Sequence, residues 1–220
     1  MNSPKYNRTM HFPFSPGASS DDKIAPYSEV EGLLNRMLVF TEKVDGSNTS
    51  LESEGCFART HATAPTHASF DALKALHANI KHLIPTNLQV FGEWCYALHS
   101  IPYDKLPGYF LAFNVRSLDT GTWEAWDMVK EWANELGVHT VPLVGWGKFS
   151  TISELQSMVE TEAKKPSELG TIREGVVVRV AESFKDEDFS KSVMKWVRAN
   201  HVQTTEHWKS QEIVKNKLKA

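Results

Sequence analysis

The stretch TEKVDGSN, directly after the apolar run Met37-Leu38-Val39-Phe40, places one lysine, Lys43, two residues before Asp45-Gly46. An amine attacks an electrophile only when uncharged, so its surroundings decide whether a lysine can do covalent chemistry. At the end of a buried strand two readings stand: the stem merely covers the sheet edge, or the amine is held as a nucleophile. Four further polar clusters lie at or beside strand-like runs: Arg59-Thr60 in CFARTH, Glu93 in VFGEWCY, Glu174 in REGVVVR, and Lys195 with Arg198 in VMKWVR. Singly, each is most often an exposed edge charge. The signal lies in the set.

The elements that must carry these residues follow from periodicity. Strand-like runs rich in β-branched and aromatic residues recur near 38–43, 47–52, 88–93, 109–115, 139–144, 174–180 and 193–198. Asp45-Gly46 is expected to reverse the chain after the first of them. Helical spacing predicts three helices. Residues 70–84 align Phe70, Leu73, Leu76, Ile80, Leu83 and Ile84 behind the candidate cap Ser69, 126–136 align Trp126, Val129, Ala133 and Leu136, and 152–164 align Ile152, Leu155 and Val159. The Asp-Thr-Gly of RSLDTGTW reads as a hairpin turn. Several strands follow one another without an intervening helix, which disfavours a doubly wound parallel sheet and favours an antiparallel α+β fold. Neither GxGxxG nor GxxxxGK[ST] is present, so nucleotide chemistry needs another kind of site.

Composition sets the outer bounds. The 220 residues are 41% hydrophobic and 23% charged, with no apolar run approaching the ~20 residues of a membrane span. Two cysteines, Cys56 and Cys95, and an N-terminus without an apolar signal core predict a reducing, cytoplasmic or intracellular setting. Net charge is −3, yet residues 185–220 hold eight Lys/Arg against five Asp/Glu, either a solvated basic tail or a phosphate-contacting end. His61, His67, His77 and His82 lack zinc-ligand spacing, and Trp123, Trp126 and Trp132 read as core and rim packing.

In order, TEKVDGSN, ART, FGEWC, YFLAFNV, REGVVVR and VMKWVR resemble motifs I, Ia, III, IIIa, IV and V of the covalent nucleotidyltransferases, the superfamily of polynucleotide ligases and mRNA capping enzymes. Within it they most resemble the ATP-dependent RNA ligases of phage and trypanosome RNA-editing type. The resemblance covers residues 38–198 and implies an α+β adenylyltransferase (ligase adenylation) domain of two mostly antiparallel sheets flanking a nucleotide cleft, with surrounding helices. Residues 1–28, rich in Pro, Ser, Gly and Asn with no period, read as an irregular lead-in; the adenylyltransferase domain is expected over 29–198, and the Thr-rich, mildly amphipathic tail over 199–220 is expected to form a short helix and no OB-fold.

The resemblance also implies the chemistry. Lys43 attacks the α-phosphorus of ATP, and the resulting lysyl-AMP passes to an RNA 5′-phosphate for sealing to a 3′-hydroxyl. Mg²⁺, with Mn²⁺ as a substitute, is the implied metal, and Glu174 its implied ligand or the group that orients Lys43. Arg59 and Lys195 would neutralise charge on the phosphates, Glu42 meet the adenine edge, Phe113 stack on the base and Glu93 bond the ribose. Asn48, His61 and Arg198 would touch substrate phosphate. RNA ends are the implied partner, with DNA ends or a capping-type guanylyltransfer as enzymatic rivals, a silent nucleotide- or RNA-binding module as the non-enzymatic one, and room for an accessory RNA-binding protein. An ordinary lysine pKa of about 10.4 leaves few neutral amines near pH 7, so burial and nearby cations are expected to depress that of Lys43. Where the family's last motif often carries two lysines one residue apart, this sequence has Val193 and Val197 around Lys195.

Overall fold

The computed structural model describes residues 4–59, 64–170, 172–199 and 212–220. In chain order its elements are β1 (Met10–His11), α1 (Tyr27–Glu31), β2 (Leu38–Lys43), β3 (Ser47–Leu51), β4 (Cys56–Ala58), α2 (Asp71–Ile80) and β5 (Leu88–Trp94). There follow β6 (Phe110–Ser117), β7 (Thr122–Trp123), α3 (Trp126–Glu135), β8 (His139–Thr140), β9 (Leu143–Gly147), α4 (Ile152–Ala163), β10 (Gly175–Val180), β11 (Phe184–Lys185), α5 (Phe189–Ser192) and β12 (Val193–Val197). The fold is α+β with two sheets. One runs β1-β12-β10-β2-β9 and the other β11-β7-β6-β5-β3-β4, with β8 added beside β6.

Local chemistry explains where several elements start and stop. Helix α4 opens with a reciprocal cap: Glu154 N donates to Thr151 Oγ1 at 3.2 Å, while Thr151 N donates to Glu154 Oε2 at 3.2 Å. Helix α3 ends before Gly137, whose φ of +63° suits a residue without Cβ. The expected β6–β7 hairpin forms, with Gly121 at φ +60°. Helix α2 differs from expectation at its start: Ser69 lies within a 3₁₀ turn, Ala68–Phe70, that His67 caps by accepting from Ser69 N. That turn takes only Phe70 from the expected helix; at the other end α2 stops at Ile80 and Lys81–Leu83 form a second 3₁₀ turn, short of the expected 84.

Two apolar clusters hold the sheets. One joins Leu73 and Ile80 of α2 and Val129 and Ala133 of α3 to Val90 and Val115 of the larger sheet. The other joins Leu155 and Val159 of α4 to Phe40, Val176 and Val178 of the smaller sheet, and reaches Phe91 and Trp123 of the larger. Full burial of such side chains contributes roughly 1.5–3 kcal/mol each. Trp123 and Trp126 are buried as expected. Both cysteines are buried free thiols. No helix among the described residues is long and apolar enough to cross a membrane.

The Asp45-Gly46 segment does not make a hairpin. β2 and β3 belong to different sheets, so the segment carries the chain from one sheet to the other. Glycine is needed there because a Cβ at position 46 would lie 2.7 Å from Trp94 O. The chain ends also do more than periodicity suggested. Residues 4–28, expected as an irregular lead-in, include β1, which pairs in parallel with β12. The helical tail was expected over 199–220; 200–211 lie outside the described residues, and no helix forms over 212–220. Residues 212–220 are extended, bridging Lys215 to Ala97 and Leu218 to Leu106.

Candidate active site

A cleft of about 590 Å³ opens between the sheets, the size of a small-ligand pocket. Strand alternation assigns its walls. On the smaller sheet Thr41 pairs with Val177 and Val177 with Lys195, while Lys43 pairs with Gly175, so these side chains share the cleft face. The larger sheet contributes Asn48, Glu93 and Phe113.

Lys43 ends β2, and Glu174 precedes β10. Their contact depends on close strand packing: a Cβ on Gly175 would lie 2.0 Å from Trp196 O, so only glycine lets β10 slide between β2 and β12 at that point. Lys43 Nζ donates to Glu174 Oε1 at 2.8 Å and Oε2 at 2.7 Å, with Glu174 almost wholly buried. Burial alone pushes the Lys43 ammonium down, but the carboxylates of Glu174 and then Glu93 outweigh it, and its pKa is raised. The expected depression is therefore not a property of the free protein. Its physical reason is a carboxylate held against the amine by a strand far away in sequence.

Glu93 accepts from Gly46 N at 3.1 Å. Burial, helped by Glu174 and Asp45 and opposed by Lys43 and the Gly46 N–H, pushes its carboxyl up to about 8. Asn48 pairs with Glu93 across β3 and β5, and its Oδ1 is buried without a hydrogen-bond partner among the described residues. An orphaned acceptor on a cleft wall is a place for a ligand donor. Phe113 lines the same wall, half-buried, its ring edge-to-face with Tyr6 at 5.1 Å between centroids. Lys195 Nζ lies 3.5 Å from Asp22 Oδ1, and burial together with Lys43 lowers its pKa. Arg59 is exposed at the cleft edge.

Two expected residues stand elsewhere. Glu42 borders the cleft, but its carboxylate turns away to accept from Ser167 Oγ and Glu168 N, with Arg173 Nε 3.6 Å distant. Adjacent residues on a strand face opposite ways, so Lys43 and Glu42 cannot both point into one cleft. Arg198 is absent from the cleft wall among the described residues; its backbone N–H instead braces Glu174 by donating to its carbonyl at 3.0 Å. His61 lies outside the described residues. Asp45 is an anchor: its carboxylate accepts from Ser100 N at 2.7 Å and Ile101 N at 3.0 Å, and its own N–H donates to Tyr103 Oη at 2.8 Å.

Sequence reasoning missed the N-terminal contribution. Tyr6, Arg8 and Asp22 line the cleft, as do His99 and Arg179. Tyr6 packs edge-to-face on Phe91, Phe113, Trp123 and Phe189, and accepts from Asn114 Nδ2 at 2.8 Å. The usable signal was the alternation Met10, Phe12, Phe14 amid charged and polar residues, too short to register as a strand.

A family model described as RNA ligase matches residues 36–197. Among curated proteins none matches. Solved structures of Naegleria gruberi RNA ligase match in fold: a variant with ATP and Mn at TM-score 0.60 and 16% identity, covering 89% of this chain and 56% of that one. The same enzyme with PPi matches at 0.57 and 18%, covering 89% and 61%. A variant with AMP and Mn matches at 0.55 and 15%, covering 90% and 60%. This chain thus spans less than two thirds of the length of those proteins.

Proposed function

Because the chain belongs to the RNA ligase family, we propose that it is an ATP-dependent RNA ligase that joins 5′-phosphate and 3′-hydroxyl ends through AMP carried on Lys43. The observation that carries the reading is the position of the Lys43 amine: inside the cleft, at the end of a buried strand, in contact with Glu174 and on the same face as Lys195. Residues 29–198 form the adenylyltransferase unit in this reading, and the N-terminal segment completes its cleft.

Attack forms a bond from Lys43 Nζ to the α-phosphorus and breaks the α-phosphorus bond to pyrophosphate, which leaves. The ammonium must first lose a proton. Glu174, accepting both hydrogen bonds from the amine, is the group in place to take it. Lys195 faces the charge that builds on the phosphates. In the second step a polynucleotide 5′-phosphate oxygen displaces the lysine and takes the AMP. In the third a 3′-hydroxyl displaces AMP and closes the chain. Glu93, inclined to keep its proton, suits hydrogen bonding to a neutral sugar, and Asn48 Oδ1 offers an unused acceptor.

The residues also fit a divalent metal of the phosphate-bound kind. Among the described residues no cluster of three His, Cys, Asp or Glu could cage an ion. Mg²⁺ in nucleotide sites needs only one or two carboxylates beside phosphate oxygens and water, and Glu174 is the carboxylate at hand. Bound there, the ion would supply the positive charge that neutralises phosphate oxygens and offsets the hold of the carboxylate on the amine.

Mass measurement after incubation with ATP and Mg²⁺ should find one added AMP on the Lys43 peptide, and chase with nicked RNA should remove it. Labelling by GTP and not ATP would replace ligation with guanylyltransfer, and release only to DNA ends would move the substrate. No label from any nucleotide would sink the enzymatic reading.

A further inference from the structure

The strand β12 offers one cation to the cleft. The residues two before and two after Lys195, Val193 and Val197, are apolar and buried. A phosphate tail carries more than one oxyanion, and the parallel pairing of β1 with β12, His11 beside Lys195, delivers a second basic group from a distant part of the sequence. Asp22 is the link. Its Oδ2 is fixed by Ser19 N at 3.1 Å and Ser19 Oγ at 2.9 Å. Its Oδ1 faces Lys195 Nζ at 3.5 Å, His11 Nε2 at 3.3 Å and Arg8 Nη2 at 3.9 Å. His11 is almost fully buried and holds Ser15 Oγ at 2.9 Å through its other ring nitrogen, so it is a wall of the cluster. Arg8 and Lys195 both line the cleft, and the Arg8 side chain is 44% exposed.

We propose that Arg8 is a further phosphate-binding cation of this cleft, held beside Lys195 by the positioning residue Asp22, and that the pair takes phosphate oxyanions. The inference rests on the ligase reading for which phosphate that is: the β- and γ-phosphates of ATP or the 5′-phosphate of the polynucleotide. Guanidinium geometry allows the arrangement. Five N–H donors in a planar fork let one edge of Arg8 donate to the Asp21 carbonyl and face the Asp22 carboxylate while the other meets a phosphate.

Titration calorimetry with inorganic pyrophosphate tests the site without turnover. Arg8→Ala should weaken binding about tenfold or more, the loss expected for a charge-assisted hydrogen bond, and Arg8→Lys should restore part of it. Asp22→Asn should weaken binding through the loss of its hold on both cations; tighter binding would make Asp22 a competing anion and overturn its positioning role. Arg36→Ala, at the surface pair with Glu182, is the control. Two rate measurements then separate the sources. Slower Lys43 adenylylation with unchanged sealing of pre-adenylylated RNA assigns the nucleotide phosphates, and slower AMP transfer to 5′-phosphate RNA with unchanged adenylylation assigns the polynucleotide. Unchanged pyrophosphate affinity and unchanged rates in a folded Arg8→Ala protein overturn the proposal. Arg8-dependent pyrophosphate binding in a wild-type protein that takes no AMP would overturn the ligase reading and leave the anion site standing.

Discussion

The two walls of the cleft hold charge in opposite ways. The smaller sheet presents Lys43, Glu174 and Lys195 as partnered ions: amine to carboxylate, and the second lysine to Asp22. The larger sheet presents Asn48, Glu93 and Phe113, of which only Glu93 is ionisable, and burial inclines it to remain neutral. Partnered ions can exchange one counter-charge for another at modest cost, whereas an unpaired carboxylate in the same cleft gives up its charge. The first wall is thereby suited to phosphates and the second to a base and sugar.

The largest test of that division is Lys43→Arg. It preserves a cation on the charged wall, but guanidinium does not deprotonate, so we expect folded protein with no AMP adduct by mass spectrometry. An adduct elsewhere in the cleft would move the nucleophile. Glu174→Gln keeps the shape of the pair and removes its charge. We expect adenylylation slowed about 100- to 1000-fold in single-turnover kinetics, the range seen when one electrostatic stabiliser is lost. A rate within threefold of the parent would make the ion pair a packing feature.

Glu93→Gln examines the neutral wall through pH. The folded carboxyl titrates near 8, above its ordinary 4.5, so between those values the folded protein holds a proton that the unfolded chain releases. Stability is then lost as pH rises through that window. Glu93→Gln should flatten the curve and, at pH 8, gain roughly 1–3 kcal/mol by denaturant unfolding, a figure discounted because the side chain is partly solvated. Parallel curves for the two proteins would remove the contrast between the walls. The smallest effect is expected for Phe113→Leu, which keeps apolar volume and removes the ring face. KM for ATP should rise about three- to tenfold at unchanged Tm, the scale of one aromatic contact.

Much of this architecture was legible because it is local. The runs at 38–43, 88–93 and 193–198 reappear as β2, β5 and β12 within a residue, and three helices lie where their apolar spacing put them. Facing was not legible. β2 is buried along both faces, so alternation does not tell which side is cleft, and Glu42 was assigned beside Lys43 when it packs against Ser167 and Arg173. The charge state of Lys43 was hidden for a related reason: its sign is set by Glu174, which only the β2–β10 register brings near. Arg8 and Asp22 were hidden because a strand of two residues has no period to read.

The β1–β12 ladder has one more consequence. Met10 meets Met194 and His11 meets Lys195, so β1 waits for β12. On a ribosome the nucleophile strand would emerge early, while the Arg8–Asp22–Lys195 constellation could close only once β12 had cleared the exit tunnel. The constellation would thus stay open until β12 is made, and contacts of such long sequence separation form slowly.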